Sequence, residues 1–86
     1  MKLEGRLFKA NLLLRETTVE QPETQERWVT QLEHCLIEVC RRLDAPLPLW
    51  LRKNTHEFAS FRQTIFFAEQ FTESVHFDRL QIRWLG

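Results

Sequence analysis

Residues 22–44 read PETQERWVTQLEHCLIEVCRRLD, and this stretch decides the fold. Pro22 suits the first position of a helix, and Arg41 and Arg42 lie at the end where the helix dipole favours cations. At about 100° per residue, most of the apolar side chains fall within an arc of about 140°. The arc contains Trp28, Val29, Leu32, Cys35, Leu36, Val39, Cys40 and Leu43. An apolar stripe of this width predicts a long amphipathic helix that lies on a sheet, with Ile37 on the opposite, polar side.

Both ends of the chain have strand character. Residues 3–20 are rich in Leu, Phe, Thr and Val, and the pair Ala10–Asn11 predicts a tight turn between two strands. A single long, bent strand is the alternative. Residues 75–85 alternate between apolar and polar side chains, which is typical of a strand with one buried face. The apolar set is Leu80, Ile82 and Trp84, and the polar set is Arg79, Gln81 and Arg83.

The segment between the long helix and the last strand is harder to assign. Pro46 and Pro48 end the helix and predict an extended connector over residues 45–53 that carries Trp50. Asn54 followed by Glu57 resembles a helix N-cap with a capping box. Helical spacing then continues through Phe58, Phe61, Ile65 and Ala68. We predict helical structure over residues 54–72, either as one helix or as two helices with a break near Thr64.

These elements predict a single α+β domain over residues 1–86. An N-terminal hairpin and a C-terminal strand form a small antiparallel sheet, and the long helix and the second helical segment pack on one face of it. The chain has 86 residues, 43% of them hydrophobic, with only two glycines and three prolines. This composition is typical of a globular fold and excludes a disordered or collagen-like chain.

The sequence offers few of the residues that catalysis or metal binding requires. The only glycines are Gly5 and Gly86, so no glycine-rich phosphate-binding loop exists. Cys35 and Cys40 are five residues apart on the helix and point to opposite rims of its apolar stripe, so they cannot hold one ion. Carboxylates in the C-terminal half leave acid–base chemistry formally open. We predict no enzyme, no catalytic residue, no metal and no cofactor.

Two kinds of binding remain. Four apolar residues have no evident place in one small core, and they favour a protein–protein interaction module, including self-association. These are Ile37, Trp50, Trp84 and Leu85. Single-stranded nucleic acid is the alternative partner, because cations and aromatic side chains are interleaved in residues 50–62. The candidate binding residues are Trp50, Arg52, Lys53, His56 and Arg62.

Charge and hydropathy argue against a membrane partner. Twelve basic and twelve acidic residues cancel, so no overall field attracts an anionic surface. Lys2, Glu4, Arg6 and Lys9 interrupt the apolar character of the first residues, so they do not form a secretory signal. The longest apolar stretch, residues 46–51, is far shorter than a transmembrane span. We therefore predict a cytoplasmic protein.

The second half of the chain also has a recognisable pattern, PLPLWLRKNTHEFASFRQTIFFAEQF, followed by FDRLQIRWL. It resembles a group of small uncharacterised bacterial proteins, chiefly of Firmicutes type. The residues that carry the resemblance are Pro46, Pro48, Trp50, Leu51, Lys53, Asn54, Glu57, Phe58, Phe61, Arg62, Gln70, Phe71, Phe77, Asp78 and Arg79. The resemblance covers about half the chain and implies no activity, but it directs attention to residues 46–79.

Overall fold

The N-terminal strands form the predicted hairpin. The computed structural model describes all 86 residues. Strand β1 spans Lys2–Lys9 and β2 spans Leu12–Glu20. Ala10 and Asn11 have φ values of 49° and 68°, which a two-residue turn of the hairpin type requires. The carboxylate of Asp78 accepts a hydrogen bond from the Ala10 N–H at 2.6 Å, so a distant part of the chain fixes this turn.

The sheet has four antiparallel strands in the order β2-β1-β4-β3. Strand β3 spans Gln63–Phe67 and β4 spans Arg79–Trp84. The hairpin and the C-terminal strand therefore pair as predicted, and β3 adds a fourth strand at the edge. The α+β class is confirmed.

Helix α1 spans Trp28–Leu43 and begins six residues later than the sequence predicts. The Thr24 hydroxyl accepts a hydrogen bond from the Glu26 N–H at 3.1 Å, and this local turn competes with a helical start at Pro22. From Leu32 to Leu43 the predicted arc is correct, since its members are buried. For Trp28 and Val29 it is wrong, because their side chains are 44% and 64% exposed.

The segment 54–72 differs most from the prediction. Helix α2 spans Arg52–Phe61 and ends at Arg62, whose φ is 59°. Strand β3 follows directly, and a single 3-10 turn spans Ala68–Gln70. Neither one long helix nor two helices is correct. The run Thr-Ile-Phe-Phe consists of β-branched and aromatic residues that favour a strand, and its pairing with β4 overrides the helical spacing.

Both helices lie on one face of the sheet, α1 on β1 and β2, and α2 on β3. The strands direct their apolar residues toward the helices. These include Leu3, Leu7, Phe66, Leu80 and Ile82. A Cβ atom at Gly5 would collide with Val39 of α1, so the helix reaches its position only because this residue is a glycine. The opposite face carries charged and amide side chains together with Phe8, Ile65 and Phe67. There the Arg6 guanidinium lies 3.4 Å from Glu4 and 3.3 Å from Glu16.

Candidate binding groove

An open groove separates α1 from α2 on the helical side of the molecule. Its volume is about 770 Å³, and ten of its fourteen lining residues are hydrophobic. Helix α1 provides Trp28, Val29, Leu32, Glu33, Leu36 and Ile37; the connector provides Leu47, Pro48 and Trp50; α2 and its end provide Thr55, Phe58, Ala59 and Arg62; and β4 provides Trp84. A surface of this size and character is typical of a site that binds another molecule.

All three tryptophans of the chain line this groove. The ring of Trp28 lies 5.9 Å from the rings of both Trp84 and Phe58, and the Trp50 ring lies 5.8 Å from Phe58. The aromatic rings therefore form one continuous cluster. The indole N–H of Trp84 is buried without an acceptor, so ring contacts rather than a hydrogen bond hold this side chain.

The proline-rich connector is held in place by hydrogen bonds from residues later in the chain. The Leu49 N–H donates to the Gln70 carbonyl at 2.7 Å, and the Gln70 side-chain amide donates to the Leu49 carbonyl at 3.2 Å. The Leu51 N–H donates to the Asn54 side chain at 2.9 Å. Trp50 lies between these anchors, and its indole N–H donates to the Thr55 hydroxyl at 2.8 Å. The connector therefore forms a fixed side of the groove.

Asn54 has a different role from the predicted N-cap. It is the third residue of α2, and Leu51 is the N-cap. Its side chain is fully buried and donates to the Thr64 hydroxyl at 2.8 Å and to the Ile65 carbonyl at 3.1 Å. Glu57 accepts a hydrogen bond from Thr64 at 2.7 Å instead of completing a capping box. Asn54 thus joins the connector and α2 to strand β3.

Two charged residues lie on the groove, Glu33 on α1 and Arg62 at the end of α2. The Arg62 guanidinium carbon lies 5.0 Å from the centre of the Trp84 ring. Neither Glu33 nor Arg62 makes an ion pair within the chain. The groove therefore offers one uncompensated negative charge and one uncompensated positive charge to an occupant.

The structure brings together two of the five candidate binding residues, Trp50 and Arg62, since both line the groove. The other three lie outside it. Lys53 places its ammonium group 4.6 Å from the centre of the Phe67 ring. Arg52 and His56 are exposed on α2 and make no ion pair. The basic residues of this segment thus do not line a common groove.

Sequence reasoning missed the contribution of α1 to the site. It placed Trp28, Leu32 and Leu36 in the apolar arc that lies on the sheet. Leu32 and Leu36 do belong to the core, but all three residues also line the groove. A signal did exist, because Ile37, Trp50 and Trp84 stood out as apolar residues without a place in one core. Those three residues are groove residues, while Leu85, the fourth of that set, is exposed elsewhere.

The clearest pKa changes in the chain occur outside the groove. Burial raises the pKa of the Cys35 thiol and raises that of Cys40 to about 12. Hydrogen bonds from Arg41 and Arg42 lower the pKa of Glu38 to about 2, and the bond to Glu38 raises the pKa of Arg41. No group of three or more His, Cys, Asp or Glu side chains is placed to hold a metal ion.

The free edges of the sheet are partly covered by side chains. On β3, the Ile65 carbonyl accepts from Asn54, and the Phe67 N–H donates to the Gln70 side chain at 3.1 Å. On β2, the Thr18 carbonyl accepts from Arg42 of α1 at 3.2 Å. Because these backbone groups already have partners, they are not available to pair with an added strand.

Comparisons with known proteins give no relative for this fold and groove. No family model matches the chain, and searches against curated proteins and solved structures give no match. Neither helix combines the length and the apolar character that crossing a bilayer requires. The resemblance of residues 46–79 to small bacterial proteins stays a prediction.

Proposed function

We propose that this protein is a non-enzymatic protein-binding module that holds apolar side chains of a protein partner in the groove between α1 and α2. The observation that carries the proposal is an open groove of about 770 Å³ in which ten of fourteen residues are hydrophobic. Val29, Ile37 and Leu47 on its walls are 64%, 43% and 50% exposed. Burying such side chains against a partner is favourable because it removes apolar surface from water.

The composition of the groove supports a protein partner. Tryptophan and arginine are enriched at protein–protein interfaces and dominate their binding energy, and the groove contains three tryptophans and one arginine. The hydrogen-bonded connector supports a groove that exists before binding, which reduces the entropic cost of association.

A second candidate is single-stranded nucleic acid on the outer side of α2. It is supported by Arg52 and His56, which are exposed and make no ion pair within the chain. The cation of Lys53 lies over the Phe67 ring nearby. Binding of this kind weakens steeply as salt rises and is lost on Arg52→Ala. Binding of a peptide in the apolar groove depends little on salt, so a salt titration separates the two candidates.

A selection of peptides tests the proposed function. Peptides from a random displayed library are selected on the wild-type protein, and their affinities are measured at low protein concentration. We expect apolar peptides whose affinity falls at least about tenfold on Ile37→Glu, because the substitution puts a carboxylate in the groove wall. Leu12→Glu is the matched control, since Leu12 is 68% exposed and lies outside the groove. Selected peptides that bind both variants equally would refute the proposed site.

A further inference from the structure

We infer that the occupant of the groove is a second copy of this chain, in a two-fold symmetric dimer; this inference rests on the proposed function. The surface around the groove carries both halves of such a contact. One half is the groove itself, and the other is the α1 rim of that groove, a ridge formed by Val29, Glu33 and Ile37. These three residues are spaced i, i+4 and i+8, so they lie in one row along the helix.

The ridge has the character of a buried contact although it is exposed. Val29 is 64% exposed and Ile37 is 43% exposed, and Glu33 between them is exposed as well. Rows of this spacing pack into the grooves between rows of another helix, which is the common geometry of helix pairs. A two-fold axis beside α1 places the ridge of each copy in the groove of the other.

The two charges of the groove fit this arrangement. A two-fold interface must be complementary to itself, so each charge on one copy needs the opposite charge elsewhere on the same surface. Glu33 lies on the α1 ridge and Arg62 lies at the end of the α2 wall, and neither has an ion-pair partner within the chain. In the dimer, Glu33 of each copy faces Arg62 of the second copy. The dimer then contains two such contacts, so each of the four charges has one partner and the contacts carry no net charge.

Other modes of self-association are less well supported. Addition of a strand at β3 competes with the hydrogen bonds of the Ile65 carbonyl and the Phe67 N–H. Addition at β2 competes with the bond from Arg42 to Thr18. Association through the groove requires none of these hydrogen bonds to break.

The size of the surface predicts a weak dimer. Fourteen residues line the groove, whereas a standard interface has about 20–30 residues on each side. We therefore expect a dissociation constant in the micromolar range or above. Sedimentation equilibrium between about 10 µM and 1 mM should show the mass rising from that of one 10.4 kDa chain toward twice that value.

Charge reversal gives the decisive test. Glu33→Arg and Arg62→Glu each create two like-charge contacts in a homodimer, and each should raise the dissociation constant at least about tenfold. An equimolar mixture of the two variants should associate again, because both contacts of the mixed dimer then join opposite charges. Glu20→Arg and Arg15→Glu are matched reversals of exposed residues outside the groove, and they should leave the dissociation constant unchanged. Circular dichroism shows whether each variant is folded.

Each outcome decides the inference. Recovery of the dimer in the mixture supports it. A dimer that persists in both groove variants, or that is lost on Leu12→Glu at the hairpin tip, places the interface elsewhere and overturns it. A wild-type protein that stays monomeric while selected peptides still bind the groove overturns the dimer and leaves the proposed function standing. A monomer that binds no peptide overturns both.

Discussion

Replacing Asn54 with alanine removes the side chain that holds the connector, α2 and β3 together. The side chain uses all four of its hydrogen-bonding positions. Its oxygen accepts from the Leu51 N–H at 2.9 Å and from the Gln70 amide at 3.0 Å. Its nitrogen donates to the Thr64 hydroxyl at 2.8 Å and to the Ile65 carbonyl at 3.1 Å. The buried Gln70 side chain, with three hydrogen bonds, comes next.

The size of the destabilisation follows from the hydrogen bonds that the partners of Asn54 lose. Each hydrogen bond contributes about 1 kcal/mol to the free energy of unfolding, and a buried group left without a partner costs more. Thr64 keeps its hydrogen bond to Glu57, and Gln70 keeps its hydrogen bond to Leu49. The cost of two of the four lost hydrogen bonds is therefore smaller. We therefore expect Asn54→Ala to lower the free energy of unfolding by about 3 kcal/mol. For a domain of this size that corresponds to a decrease of about 12–24 °C in Tm.

Urea unfolding followed by circular dichroism measures the effect, and two further variants control it. Ser60→Ala changes an exposed residue of the same helix and should stay within about 0.5 kcal/mol of wild type. Asn54→Asp keeps the shape but replaces the donating amide nitrogen with an acceptor that faces the Ile65 carbonyl, so it should also lower the free energy of unfolding. An Asn54→Ala variant within about 1 kcal/mol of wild type would refute the reasoning.

Three further predictions concern the sheet, the Glu38 carboxylate with its two arginine partners, and the thiols. Gly5→Ala should destabilise the fold by about 1–3 kcal/mol in urea because the new methyl group collides with Val39, and adding Val39→Ala should restore part of the loss. The pKa of Glu38 is lowered to about 2, so the ionised carboxylate stabilises the fold above its unfolded pKa, and this stabilisation is lost as pH falls through about 2. Glu38→Gln should therefore flatten the change in Tm over that acid range. An unchanged acid profile would contradict the Glu38 assignment. Cys35 and Cys40 are buried and their pKa values are raised, so a thiol reagent near pH 8 should label them only in denaturant. Rapid labelling of the folded protein would contradict that burial.

The parts of the fold that follow local rules could be predicted from the sequence. The turn at Ala10–Asn11 is indicated by Asn11, a residue type that tolerates positive φ, and the faces of β4 are set by the alternation of Leu80 and Ile82 with polar residues. Strand β3 could not be predicted in this way. The spacing of Phe58 and Ile65 fits a helix as well as it fits a helix followed by a strand, and only pairing with β4 decides between them.

The groove was only partly predictable for a related reason. The helical arc places Trp28 on the same side as the core residues, but an arc does not show where the sheet beneath the helix ends. In the structure Trp28 packs on Phe58 of α2 and on Trp84 at the very end of β4. The interleaving of cations in residues 50–62 likewise does not show on which surface each cation lies. Helix α2 turns by about 100° per residue, and Lys53 and Arg62 therefore lie on different surfaces.

The tryptophans allow the most direct test of the central claim that the groove is the binding surface. Trp28, Trp50 and Trp84 are the only tryptophans, and all three line the groove, so their three indole N–H signals in a ¹⁵N-labelled protein report on it alone. On titration with a selected apolar peptide, we expect all three signals to shift together while the amide signals of Gln81 and Arg83 on the open face of the sheet stay in place. Saturable binding that moves the sheet signals and leaves the three indole signals unchanged would contradict the account.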